Sequence, residues 1–126
     1  MPKTLRNVNR SEFTSQEYFD SLKIHFLNEL LNRYGLKDPN NAILKNYEKI
    51  KSLQASIVYS ASLTYSMLFD KRKPKPSDSR DMWHSIAAAA TSNLFVTNDR
   101  RFRRMLNKFP IKNFLVIDLL QFKINI

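Results

Sequence analysis

The sequence predicts an α/β protein with a helix-rich N-terminal half and a short parallel sheet towards its C-terminus. Three observations lead there. The chain of 126 residues contains one glycine, Gly35, so the φ > 0 turns of a hairpin-rich β protein lack their usual residue. Apolar residues recur at helical steps across residues 14–69. Two short apolar runs then follow in the order helix, strand, helix, strand, which implies parallel strands joined by a crossover helix. The length suits a single domain, 1–126, and a hydrophobic content of 43% supplies a modest core.

Residues 1–13 are polar and basic without a clear period and read as a loose lead-in. Thr14 or Ser15 can cap a first helix, with Glu17 in its first turn. Phe19, Leu22, Phe26, Leu27, Leu30, Leu31 and Tyr34 then form one apolar face. Gly35 stands where a C-terminal cap belongs, and Pro39 follows. Asn40 or Asn41 opens the next helical stretch, from Ile43, Leu44 and Tyr47 through Ile57 to Leu68. That stretch is either one long helix or two with a kink between residues 52 and 60.

Residues 70–79 form a basic connector. Pro74 and Pro76 disfavour helix before them, and Lys71, Arg72, Lys73 and Lys75 supply charge. The connector reads either as a solvated loop or as a phosphate-contacting loop beside an active site. Residues 80–126 form the α/β portion. Ser77 or Ser79 caps a helix to about Ser92, stabilised by the alanines at 87–90. Leu94, Phe95 and Val96 make a buried strand, residues 100–108 a basic helix ended by Pro110, and Phe114, Leu115, Val116 and Ile117 a second strand.

Composition narrows function. The formal net charge is +10, from 21 Lys and Arg against 11 Asp and Glu. Such an excess gathers polyanions such as nucleic acid, or an acidic protein or anionic surface. There is no cysteine, which excludes disulfides and thiolate metal sites, and only His25 and His84 could offer imidazole. No apolar run approaches the ~20 residues of a membrane span, and the polar start carries no secretory h-region. A cytoplasmic protein without a membrane partner is expected.

Asp78, Asp81 and His84 follow one another at steps of three, on one face of a helix start. Asp99 lies just beyond the first strand, where open α/β sheets bind ligands. Carboxylates converging from two such places can hold Mg²⁺ or Mn²⁺, which prefer hard oxygen ligands and can activate water against a phosphodiester. The same residues also suit plainer roles. Asp78 and Asp81 favour a helix N-terminus, Asp99 can cap the helix at Arg100, and His84 can simply pack.

The run Asp81-Met82-Trp83-His84-Ser85-Ile86-Ala87-Ala88-Ala89 resembles the third motif of PIN nuclease domains. Asn93-Leu94-Phe95-Val96-Thr97-Asn98-Asp99-Arg100-Arg101-Phe102 is similar to the fourth, a strand ending in Thr-x-Asp before a basic helix. In order and at this spacing they cover about the last third of the chain. The resemblance implies a PIN-like three-layer α/β/α fold that cuts RNA with bound Mg²⁺ or Mn²⁺, in the manner of toxin–antitoxin ribonucleases. It implies catalysis and metal binding by Asp81 and Asp99, with Glu29 and Asp78 as further ligands, Glu48 competing with Glu29, and Thr97 and His84 in support. It makes Arg100, Arg101, Arg103, Arg104, Lys71, Arg72 and Lys73 candidate nucleic-acid contacts. RNA is the implied partner, with an acidic antitoxin-like protein, a second PIN-like chain or a homodimer as others. The family's opening strand, which ends in its first Asp, has no counterpart in residues 1–13, so the fold is expected to be incomplete at the N-terminus. The alternative reading is a non-catalytic or truncated module that binds nucleic acid or protein.

Overall fold

The computed structural model describes residues 7–38 and 41–124. Pro39 and Asn40, expected to end one helix and open the next, lie outside the described residues, as do residues 1–6.

The chain enters through a helix that the sequence reading missed. Helix α1 (Arg10–Phe13) is closed by a capping box, in which the Asn9 side chain accepts the Glu12 N–H and the Glu12 carboxylate accepts the Asn9 N–H. It seats Phe13, fully buried, against Tyr18, Tyr65 and Phe69 at ring separations of 5.2–5.6 Å. Arg10 donates to the Phe69 carbonyl at 2.9 Å and to Asp70 at 3.1 Å, which places a cation on the C-terminal carbonyls of a later helix. Within the expected lead-in, residues 10–13 thus form a helical turn whose Phe13 joins the core while residues 10–12 stay exposed.

Helix α2 (Gln16–Arg33) begins at Ser15, whose hydroxyl accepts the Tyr18 N–H. It buries Phe19, Leu22, Leu27 and Leu31. Its end is a Schellman turn: Leu36 N–H reaches the Leu31 carbonyl at 2.9 Å, and Gly35 N–H reaches Asn32 at 3.2 Å. Gly35 has φ 63°, the left-handed conformation that only glycine takes without cost.

The second helical stretch does not kink where the periodicity allowed. It is interrupted earlier, as α3 (Ala42–Lys45) and a 3-10 turn over Tyr47–Lys49, and then runs unbroken as α4 (Lys51–Phe69). Asp38 caps α3 by accepting the N–H groups of Ile43 and Leu44. Gln54, buried in the first turn of α4, donates to the Glu48 carbonyl at 2.7 Å and accepts the Lys112 N–H. Those bonds satisfy the polar backbone at the break.

The connector turns at Lys71, φ 53°, and α5 (Ser77–Thr91) returns antiparallel to α4. Lys51, at the start of α4, donates to the Ser92 carbonyl just past α5. The most extensive helix contact in the molecule is between these two. Ala55, Ala61, Ser85 and Ala89 are essentially unexposed, small enough to let the backbones approach closely.

Strand β1 (Leu94–Val96) pairs in parallel with β2 (Leu115–Ile117), in the register Leu94 to Leu115, Phe95 to Val116 and Val96 to Ile117. Helix α6 (Arg100–Asn107) makes the crossover, and α7 (Leu119–Ile124) follows β2. Phe19 of α2 stacks on Phe109 after α6 at 4.1 Å. Phe102 of α6 meets the edges of Tyr59 and Phe95. The protein is thus mostly helical with a short two-stranded parallel sheet, a small α/β fold. Among the described residues no helix is long and apolar enough to cross a membrane.

Candidate active site

Helix α4 carries Tyr59 at its middle, 1% exposed. Burial raises the pKa of its phenol, and the negative charges of Asp81, Asp78 and Asp99 raise it further, against the opposing effect of Arg72. One buried hydroxyl thus feels all three aspartates that the sequence singled out. They reach it from two directions, the first turns of α5 and the exit of β1.

Asp78 is already occupied. Arg72 grips both carboxylate oxygens, Nη1 to Oδ2 at 3.1 Å and Nη2 to Oδ1 at 2.5 Å, and the Lys75 N–H donates to Oδ2 at 2.7 Å. Both side chains are buried, with 9% and 7% exposed. Burial alone would raise the Asp78 pKa. The hydrogen bonds from Arg72 and Lys75, with the charges of Arg72 and Arg101, overcome it and hold the carboxyl below its ordinary range. The helix therefore starts at Ser77 with no serine cap, and Asp78 with its guanidinium closes the connector onto α5.

Asp81, three residues on, is half-buried. Its carboxylate has no hydrogen bond or ion pair among the described residues. Asp99 is exposed. Its Oδ1 accepts the Phe102 N–H at 3.0 Å, which makes it the N-cap of α6, while Oδ2 stays free. Thr97 fixes that turn: its hydroxyl accepts the Asp99 N–H at 3.2 Å, and its own N–H extends the sheet ladder to the Ile117 carbonyl at 2.9 Å. Capping and site formation are compatible, because a carboxylate has two oxygens and the cap uses one.

A second carboxylate at the carboxyl ends of the strands, beside Asp99, escaped the sequence reading. Asp118 follows β2 as Asp99 follows β1, and it is half-buried. Its Oδ1 accepts the Gln121 N–H at 2.8 Å, and its Oδ2 lies 3.9 Å from Arg103. The signal was available, since an acid directly after the second parallel strand obeys the same rule that selected Asp99. Arg103 also donates to the Thr97 carbonyl at 2.7 Å, so it braces the two strand ends instead of lying free for phosphate.

The other nominated residues lie apart. Glu29 is an exposed position on α2, paired with His25 at 3.2 Å, and no contact joins it to Asp81 or Asp99. Glu48 is exposed in the 3-10 turn, and His84 is exposed on α5. Lys71 and Lys73 are exposed on the connector, and Arg100 on the first turn of α6. Arg101 and Arg104 line a cavity with Arg72.

Mg²⁺ commonly takes one or two protein carboxylates and completes its six positions with water and substrate phosphate. Asp81 and Asp99 Oδ2 are the carboxylate oxygens left without a hydrogen bond that such a pattern could use. The larger ligand set does not assemble: among the described residues no three His, Cys, Asp or Glu side chains stand where they could hold a metal together. Asp78 is spent on Arg72, and Glu29 is paired with His25 on α2. No protein-family model matches the chain, and no curated protein or solved structure gives a significant match.

Proposed function

We propose that the chain is a PIN-like protein that binds RNA and hydrolyses its phosphodiester bonds with Mg²⁺ or Mn²⁺ held by Asp81 and Asp99. The observation that supports this reading is a pair of aspartates with idle oxygens, Asp81 in the first turns of α5 and Asp99 after β1, whose charges both raise the pKa of the buried Tyr59 phenol. A basic chain of net charge +10 collects the polyanion, and a small acidic pair within it gives the metal its place. When bound, the metal neutralises charge on the phosphate and eases deprotonation of water. The chain's own part is to aim the ligands. Thr97 and the α6 N-terminus hold Asp99, the Arg72–Asp78 pair fixes the first turn of α5 and hence Asp81, and Arg101 and Arg104 receive the strand. The two-stranded sheet with helices from α4, α5 and α6 suits the core of a three-layer PIN-like fold.

A second reading rests on the same Arg72–Asp78 pair. Because it removes one carboxylate from the metal's reach, it favours a module that binds RNA without cutting it. A protein partner belongs to either reading. Leu119, Leu120 and Ile124 of α7 and Leu115 of β2 are exposed beside the sheet edge, where another chain, an acidic antitoxin-like protein or a second copy, could pair.

The test is cleavage of a single-stranded RNA in Mn²⁺ or in EDTA. Metal-dependent cutting that disappears in Asp81→Asn, with RNA binding retained, supports the nuclease. Folded wild-type protein that binds RNA and never cuts it leaves the binding module.

A further inference from the structure

Beside the aspartates the molecule holds a cavity of opposite character. It encloses about 370 Å³ between the C-terminal half of α4, the connector and α6, and Ser62, Ser66, Arg72, Arg101, Arg104 and Lys108 are among its lining residues. Four cations thus meet one lining carboxylate, Asp70, which is itself paired with Arg10 at 3.1 Å. Arg101, Arg104 and Lys108 have no salt bridge among the described residues. Arg72 is turned end-on to Asp78, which leaves its Nε as the buried side-chain polar atom without a hydrogen-bond partner among the described residues. A buried donor with no acceptor is costly and asks for one. The Lys108 ammonium lies 3.0 Å from the centre of the Tyr65 ring. Burial lowers its pKa, as does Arg10, against the opposing charge of Asp70.

Arg72 is paired with Asp78, but Arg101, Arg104 and Lys108 line the same cavity without a carboxylate of their own, and such cations are stabilised by solvent or an anion. Ser62 and Ser66 lie on the same stripe of α4; the Ser62 hydroxyl donates to the Met105 carbonyl at 2.6 Å, and Ser66 adds a polar group to the lining. That stripe begins at Tyr59. Ser62 and Ser66 lie three and seven residues further on, about 5–10 Å along the helix, a span of a few nucleotides of a strand.

We propose that this cavity binds a phosphate group, supplied by the RNA strand whose neighbouring phosphodiester lies at Asp81 and Asp99. The source of the phosphate rests on the function proposed above, whereas the chemistry of the cavity does not. Arg101 and Arg104, both exposed, are the strand-facing contacts, with the buried Arg72 side chain and the half-buried Lys108 behind them.

The experiment compares wild type with Arg101→Ala, Arg104→Ala, and with a control pair, Lys45→Ala, Lys49→Ala, whose side chains line a separate basic cavity. Anisotropy of a labelled single-stranded RNA is read in EDTA, so that cutting plays no part. Removing two phosphate contacts should flatten the slope of log affinity against log salt by about 1.4 and weaken binding about tenfold near physiological salt. The control pair should lose less. In parallel, inorganic phosphate is added at constant ionic strength and the Tm followed. It should rise for wild type and stay flat for the arginine variant. Equal RNA losses in both variants, with no phosphate effect on wild-type Tm, would overturn the cavity while leaving RNA binding intact. No RNA binding, but a phosphate-dependent Tm that needs the arginines, keeps the cavity and overturns the RNA reading. Neither response overturns both.

Discussion

The first turn of α5 and the exit of β1 each present an aspartate at the start of a helix, and the two are used differently. Asp78 is 7% exposed in its side chain and has a guanidinium and a backbone N–H on its oxygens. Asp99 is exposed, spends one oxygen on the Phe102 N–H and keeps the other. Asp81, between them in sequence, spends neither. The difference separates structure from chemistry more sharply than residue type can. A buried carboxylate with a full set of donors is a joint. A partly buried carboxylate with idle lone pairs can take a ligand without dismantling the fold.

That comparison breaks most readily at Asp78. Asp78→Ala leaves the Arg72 charge buried without its partner and should destabilise the protein by about 3–5 kcal/mol in chemical denaturation. Replacing both, Arg72→Met with Asp78→Leu, should recover much of that loss, because it removes the stranded charge as well. If the double variant is as unstable as the single, the pair acts through something other than its buried charges.

Acid gives the same contrast without mutation. The Asp78 carboxyl is held below its ordinary value of 3.8, so the pair's contribution is complete above that pH and is lost as pH falls through the lower folded value. Wild type should therefore shed stability in that acidic window, and Asp78→Asn should lack this part of the slope. An identical acid profile in the two proteins would contradict the account.

Smaller effects sharpen the comparison at Asp99. Asp99→Ala removes the cap of α6 and should cost about 1 kcal/mol. Asp99→Asn caps as well as aspartate and should cost almost nothing, yet it removes the charge. If RNA cleavage falls equally in both variants while stability falls only in the first, the cap and the chemistry are separable. Loss of activity in proportion to stability would mean that Asp99 is only a cap.

Much of the scaffold was legible in the sequence because it is written locally. The face from Phe19 to Leu31, the cap at Gly35, and two apolar runs separated by a basic helix gave α2 and the parallel pair with its crossover. The Asn9-x-x-Glu12 capping box was equally local but was passed over in a polar, short segment. The break between Asn46 and Ile50 carries no glycine or proline, so nothing in the pattern marks it. It is stabilised by Gln54, whose burial is a tertiary fact. The candidate site was legible only as residue types at a spacing. Asp81, Asp99 and Thr97 were nominated from spacing and motif, but the capture of Asp78 by Arg72 follows a left-handed Lys71 that no propensity favours. The connector's reading as a phosphate-contacting loop divides in the same way. Arg72 lines the basic cavity, whereas Lys71 and Lys73 do not.

The central claim is that Asp81 and Asp99 share one ligand while Asp78 serves the fold. The most direct test is Mn²⁺ binding, followed by electron paramagnetic resonance, in wild type, Asp81→Asn, Asp99→Asn and the double variant. The account predicts one ion bound by wild type, and a loss in each single variant nearly as large as in the double, because both carboxylates hold the same ion. Wild-type protein that binds no Mn²⁺, or losses that simply add, would contradict it.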